Sequence, residues 1–169
     1  MANIDSWNGP LPMEWLENQV DLQKKILSRE RELNMKPVLP AFNGHVPAAL
    51  KRIYPDANIQ SLGKWAGFSK QYHCSFLNPE EPLFSLIQKK FLKEQTLLFG
   101  TDHIYGVDPF NEVDPPSWEP DYLGKVSSKL YHTLTEADPK AEWLQMTWMF
   151  YFDRKKWTAP RIEALLKGV

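Results

Sequence analysis

Long amphipathic helices alternate with short apolar runs along this chain, and that alternation narrows the choice of fold more than any other feature. A helix is expected from about Pro12 to Asn34, with Trp15, Gln19, Leu22, Ile26 and Leu33 on one face and Glu17, Lys24 and Arg31 opposite. Lys36 to Phe42 then reads as a short buried strand, followed by a loop at Asn43-Gly44-His45 and a short helix from Pro47 to Tyr54. Residues 56–77 read as mostly irregular and aromatic, and loops of that length are often functional. Asn78 and Pro79 carry the composition of a helix start, Gly100 that of a helix stop, and Phe84, Ile87, Phe91 and Leu98 fall on one face between them. A second strand is expected over His103 to Phe110. A helix follows over Asp121 to Ala137 with Tyr122, Val126, Leu130 and Leu134 aligned, then a third strand over Glu142 to Phe150 and a last helix over Pro160 to Lys167.

At least three strands separated by helices predict a parallel sheet, because parallel neighbours need a crossover between them. No GxGxxG and no Gly-rich phosphate loop is present, which counts against a nucleotide-binding doubly wound sheet. The expected class is therefore α/β, a partial TIM-type (β/α) barrel. A complete barrel takes ~250 residues, so 169 residues hold about three to four of its eight βα units. Residues 1–169 read as a single segment of such a barrel domain.

Composition removes several other classes. Net charge is −1 with 24% charged residues, which lacks the basic excess of a nucleic-acid binder. No stretch approaches the ~20 apolar residues of a membrane span. Cys74 is the only cysteine, so no intrachain disulfide can form. Met1 to Asp5 has no basic region leading into an apolar run, so the start does not read as a signal peptide. Aromatic residues reach 13%, seven of them Trp, and several stand in irregular stretches such as Gly63-Lys64-Trp65-Ala66-Gly67-Phe68. Rings in loops suit stacking on sugar faces, although a Trp is as readily a large buried residue.

In a parallel barrel, chemistry sits at the C-terminal ends of the strands. Three ends are legible: Phe42-Asn43-Gly44-His45, Asp108-Pro109-Phe110-Asn111-Glu112 and Thr147-Trp148-Met149-Phe150. The second is the sharpest. Glycoside cleavage needs a carboxylic acid to protonate the departing oxygen and a second carboxylate opposite. Glu112 stands where a strand meets a loop, behind Val107 and Phe110, and apolar surroundings keep a carboxyl protonated nearer neutral pH. Asn111 beside it can both donate and accept to a sugar substituent. The dipeptide alone also fits a residue that starts a loop or caps a helix. The histidines, His45, His73, His103 and His132, show no paired metal-ligand spacing, and a metal site from His45, His103 and Asp108 is the weaker reading. No Ser or Cys stands in a G-x-S-x-G context.

The stretches Val38 to Pro47 (VLPAFNGHVP) and Phe99 to Glu112 (FGTDHIYGVDPFNE) resemble the α-N-acetylglucosaminidase family of glycoside hydrolases, family 89. Trp7 to Pro12, Cys74 to Leu77 and Trp143 to Trp148 match it in the same order, so the resemblance spans nearly the whole chain. It implies removal of terminal α-linked N-acetylglucosamine from glycans with retention of configuration and without a cofactor or metal. It implies that Glu112 is the acid/base, that Asn111 contacts the sugar, and that Trp65 and Trp148 line the terminal-sugar pocket. It also implies a secreted, periplasmic or lysosomal setting.

Three positions depart from the family: Pro109 stands where Thr is usual, Met146 where Gln is usual, and a second cysteine near Cys74 is missing. None removes a catalytic group. The family's nucleophilic glutamate belongs to a later strand, beyond Val169, and Glu119, Glu136, Glu142 and Glu163 do not match its context. The start of the barrel, its remaining strands and a C-terminal helical domain are likewise expected outside the chain, and the isolated 169-residue segment is expected to be inactive. The competing expectations are a non-catalytic carbohydrate-binding segment using Trp65 and Trp148, and a metal-dependent hydrolase.

Overall fold

The computed structural model describes residues 11–63, 68–111 and 113–169. Its elements run, in chain order, α1 (Met13–Glu32), β1 (Leu39–Pro40), β2 (His45–Val46), α2 (Leu50–Ile53), β3 (Ile59–Ser61), a 3-10 turn (Lys70–Tyr72) and β4 (Ser75–Leu77). They continue with α3 (Pro82–Phe99), β5 (Ile104–Gly106), α4 (Pro120–Ala137), β6 (Glu142–Leu144), α5 (Trp148–Phe152) and α6 (Ala159–Lys167).

The three apolar runs pair as the alternation predicts. β1, β5 and β6 form a parallel sheet in that order, with Leu39 opposite Tyr105 and Tyr105 opposite Trp143. The sheet is open and mixed with helices; the described residues do not close a barrel. The crossovers pack against it: Phe84 and Leu92 of α3, and Leu123, Val126, Leu130 and Leu134 of α4, join Tyr105 and Val107 in one core. Each of the long helices α3 and α4 opens on a proline in its first turn, where the missing N–H costs nothing. Gly100 ends α3 at φ 72°, a conformation that favours glycine, and its N–H bonds the Thr96 carbonyl at 2.9 Å.

At the N-terminal end of β5 the Tyr105 hydroxyl donates to Asp138 at 2.7 Å and lies 2.7 Å from the Thr101 hydroxyl, while His103 Nδ1 lies 2.7 Å from the same Asp138 carboxylate. Burial pushes the Tyr105 hydroxyl up to about 12. This network fastens the start of β5 to the end of α4.

The structure corrects four expectations. Residues 56–77 contribute two strands that were not expected: with β2, β4 and β3 form a second, antiparallel sheet, His45 opposite Phe76 and Ile59 opposite Leu77. Gly44 leads into it at φ 99°, and a Cβ there would lie 2.5 Å from the Phe76 ring. The run from Glu142 to Phe150 is a strand only to Leu144, where the neighbouring strand also ends, and Trp148 starts a helical turn. Helix α3 begins at Pro82 rather than at Pro79, because Asn78 makes a turn instead: its side-chain oxygen accepts the Glu80 N–H at 3.0 Å and its carbonyl accepts the Glu81 N–H at 3.0 Å.

The inward helix faces also differ. α1 buries Leu27 and ties Arg31 to Asp102, whereas Trp15 (47% exposed), Leu22 and Ile26 face outward. α3 buries Phe84 and Leu92 together with Gln88 and Gln95, while Phe91 and Leu98 are exposed. The two glutamines turn inward because β1 needs partners: Gln88 Oε1 accepts the Phe42 N–H at 2.9 Å and Gln95 Nε2 donates to the Pro40 carbonyl at 2.8 Å. No helix among the described residues is long and apolar enough to cross a membrane.

Candidate active site at the strand ends

Parallel pairing in register brings three chain segments out at one end of the sheet: 41–45 after β1, 107–111 after β5 and 145–147 after β6. The first two frame a recess of about 340 Å³ lined by residues including Ala41, Asn43, His45, Gly106, Asp108 and Asn111. The residues are held by side chains as well as by the sheet. Trp143 Nε1 donates to the Val107 carbonyl at 2.8 Å. Asp108 Oδ1 accepts from Gln145 Nε2 at 2.6 Å and from the Met146 N–H at 3.0 Å. His45 Nε2 lies 2.8 Å from the Pro109 carbonyl and donates to it. Asn43 Nδ2 reaches the Asp108 carbonyl at 3.5 Å.

Electrostatically the recess is poorly solvated. Burial raises the Asp108 carboxyl above the usual carboxylate range, partly offset by the Met146 N–H. Burial lowers the His45 ring below the usual histidine range, against the pull of the Pro109 carbonyl. Two buried acceptors next to the recess, His45 Nδ1 and Asn111 Oδ1, have no hydrogen-bond partner among the described residues.

Of the site residues predicted from sequence, Asn111 lies at this recess. Trp148 does not share it. It lines a second recess of about 230 Å³ on the other flank of the same loop, with Phe110, Val113, Trp118, Met149 and Trp157. Its half-buried ring sits 5.1 Å from that of Phe152, tilted 55° to it. Glu112 and Trp65 lie outside the described residues. The metal grouping does not assemble: His103 is bonded to Asp138 at the start of β5, whereas Asp108 follows the end of that strand. Among the described residues no three His, Cys, Asp or Glu side chains are grouped to hold a metal. Asn43, His45 and Asp108 stood at strand ends in the sequence but were given no role in sugar chemistry, and Gln145 fell inside an expected strand, with no signal to single it out.

Comparison with known proteins places this arrangement. The family model of the alpha-N-acetylglucosaminidase (NAGLU) tim-barrel domain matches residues 1–169. Human alpha-N-acetylglucosaminidase is 45% identical over 170 residues, which cover 100% of this chain and 23% of the human protein. A family 89 glycoside hydrolase from Clostridium perfringens, solved with 2-acetamido-1,2-dideoxynojirmycin, superposes with a TM-score of 0.76 at 28% identity, over 93% of this chain and 17% of the enzyme. A variant of the Clostridium perfringens enzyme with two glutamates changed to glutamine, solved with its substrate GlcNAc-alpha-1,4-galactose, superposes with a TM-score of 0.77 at 27% identity, over 94% of this chain and 18% of that one. The chain thus spans about a quarter or less of the length of these relatives. An open parallel sheet whose strand ends carry Asn111, matched along its whole length by one family model, makes this chain a member of the α-N-acetylglucosaminidase family of glycoside hydrolases, within that family's barrel domain.

Proposed function

We propose that this chain is a segment of the catalytic (β/α) barrel of a retaining exo-α-N-acetylglucosaminidase, contributing three to four of its βα units. The observation that carries the reading is the placement of Asn111 at a poorly solvated recess where parallel strands end, the position at which barrel enzymes do their chemistry. In this reading Glu112 protonates the departing glycosidic oxygen and later takes a proton from the attacking water. Asn111 holds a polar substituent of the terminal N-acetylglucosamine, Trp65 shapes the pocket, and Trp148 bounds it from the adjoining recess. The carboxylate that attacks the anomeric carbon comes from sequence outside residues 1–169. Support for a two-carboxylate mechanism comes from the bacterial relative, whose complex with its substrate carries two Glu-to-Gln changes.

The test uses the full-length enzyme and an aryl α-N-acetylglucosaminide, with the first-formed product followed by proton NMR. The reading expects turnover and α-N-acetylglucosamine as the initial product. Initial formation of the β-anomer would refute the retaining mechanism, and turnover of the β-linked substrate alone would refute the assigned activity.

A further inference from the structure

The loop that carries Asn111 is built as a tight turn with little backbone bonding of its own. Its closing bond, Asn111 N–H to the Asp108 carbonyl, is long at 3.5 Å. Pro109, at the second position, suits a β-turn but brings no N–H. What fixes the turn comes from outside it. Each of the three residues ahead of Asn111 is gripped by a different element. Asp108 receives two hydrogen bonds from residues just past β6, at 2.6 and 3.0 Å. The Pro109 carbonyl receives His45 Nε2 from β2 at 2.8 Å. Phe110 is 2% exposed, with its ring 5.4 Å from that of Phe76 in β4.

The two polar grips come from different sheets: His45 belongs to β2 of the antiparallel sheet, while Gln145 and Met146 follow β6 of the parallel one. The partners are also specified chemically. His45 Nδ1 is buried and has no partner among the described residues, so the ring serves as a single donor through Nε2. The ring is held edge-on against Phe76, with centroids 5.9 Å apart. Asp108 uses one carboxylate oxygen for both donors. Two carbonyls in sequence, those of Val107 and Asp108, are reached by Trp143 and Asn43 as well. This is more anchoring than a loop needs merely to stay folded, and it converges on the one turn that leads into Asn111.

We propose that His45 and Asp108 are positioning residues that clamp the Pro109 turn, one reaching it from β2 and the other tied to the segment after β6, and so fix where the chain presents Asn111, the residue that leads into Glu112. Neither touches the reacting atoms. The proposal rests on the reading of Glu112 as acid/base, and it predicts a particular kinetic signature. A loosened turn misplaces the acid, and a displacement of about 1 Å is enough to cost on the order of 100-fold. Any misplacement of Asn111 costs both kinds of substrate alike, so the signature of a misplaced acid is the excess loss on substrates that need protonation of the leaving group.

The experiment compares His45→Ala, His45→Gln and Asp108→Ala with the unmodified full-length enzyme on two substrates: an α-N-acetylglucosaminyl disaccharide and an aryl glycoside with a good leaving group. Pre-steady-state release of the aryl group reports the first chemical step. Both alanine variants should lose about 10- to 100-fold in kcat on the disaccharide while the aryl release step falls far less. His45→Gln, whose amide can donate in place of Nε2, should recover part of the loss. Should an alanine variant fail to fold, Gln145→Ala serves instead. It strips Asp108 of its 2.6 Å partner at the rim and should show the same bias, smaller. Equal losses on both substrates, or none, in proteins with unchanged melting would overturn the proposal. Glu112→Gln run alongside separates the two layers. If it shows the leaving-group bias and the clamp variants do not, the clamp alone is wrong. If it shows no bias, the acid/base reading falls and takes the clamp with it.

Discussion

Gln88 offers a test of how α3 holds the strand that leads to the site. The side chain is fully buried, its Oε1 accepts the Phe42 N–H at 2.9 Å, and its Nε2 has no partner among the described residues. Gln88→Leu keeps most of the volume, removes the unpartnered amide nitrogen and leaves the Phe42 N–H buried without an acceptor. An unpaired buried donor costs about 1–3 kcal/mol, and the methyl groups that replace the orphaned Nε2 return part of that to global stability. The local effect is cleaner. Opening of the Phe42 amide becomes easier by the full cost of its lost partner, about 5- to 150-fold faster exchange at 1.4 kcal/mol per tenfold. Gln88→Ala adds a cavity beside Phe84 and Leu92, so exchange should also quicken at neighbouring amides. The assay is hydrogen–deuterium exchange on the full-length enzyme, read on peptides covering Phe42 and, as an internal reference, Tyr105. Unchanged protection at Phe42 in Gln88→Leu would show that the glutamine does not hold the strand end, and the inward turn of α3's amides would need another cause.

Three further outcomes are expected. Burial works against the charge on Asp138, but hydrogen bonds from His103, Tyr105 and the Lys140 N–H outweigh it and its pKa lies below the usual carboxylate range. A depressed folded-state pKa contributes stability that is present above the unfolded value and is lost as pH falls through the folded one. Asp138→Asn should therefore flatten the acid limb of the melting-temperature profile, and an unchanged limb would refute the assignment. Trp148→Ala and, by the same reasoning, Trp65→Ala in the full-length enzyme should lower kcat/KM by about 1–3 kcal/mol of stacking, taking base–aromatic stacking as the nearest analogue; unchanged kinetics would mark either ring as ordinary packing. The isolated 169-residue chain should not hydrolyse an aryl α-N-acetylglucosaminide, for want of the second carboxylate. It should self-associate through apolar surface such as Val38 and Met146, both exposed. Turnover by this chain that Glu112→Ala abolishes would refute the first statement, and a cooperative monomeric melt the second.

The parallel sheet was legible because its strands are separated by long helices whose ends are marked, as by Gly100 after α3 and Pro120 at the start of α4, even though the start of α3 was read three residues early. The antiparallel sheet was not, because between its short strands stand only the four-residue α2 and a 3-10 turn, with no long helix to mark them off. The run through Trp148 defeated periodicity for another reason: a continuous apolar stretch looks the same as strand or helix. Hydropathy also misdirects where polar side chains do structural work, so Gln88 and Gln95 point inward while Phe91 and Leu98 face out. At the site, Asn111 was singled out by its place after a strand and lines the recess there. The grips on its turn join residues 64 positions apart, His45 and Pro109, and 37 apart, Asp108 and Gln145, and no local pattern connects them.

The central claim is that Glu112 is the acid/base, and chemical rescue tests it most directly. Glu112→Gln in the full-length enzyme keeps the shape but cannot exchange a proton. On a disaccharide, whose leaving group needs protonation, turnover should nearly stop. On an activated aryl glycoside the first step should survive better and the second should slow, because the attacking water has lost its base. Azide needs no base, so adding it should restore turnover and yield the α-glycosyl azide with retained configuration. The partner carboxylate should lie ~5–5.5 Å from Glu112, the separation of a retaining enzyme. Equal loss on both substrates with no rescue by azide would show that Glu112 is not the acid/base.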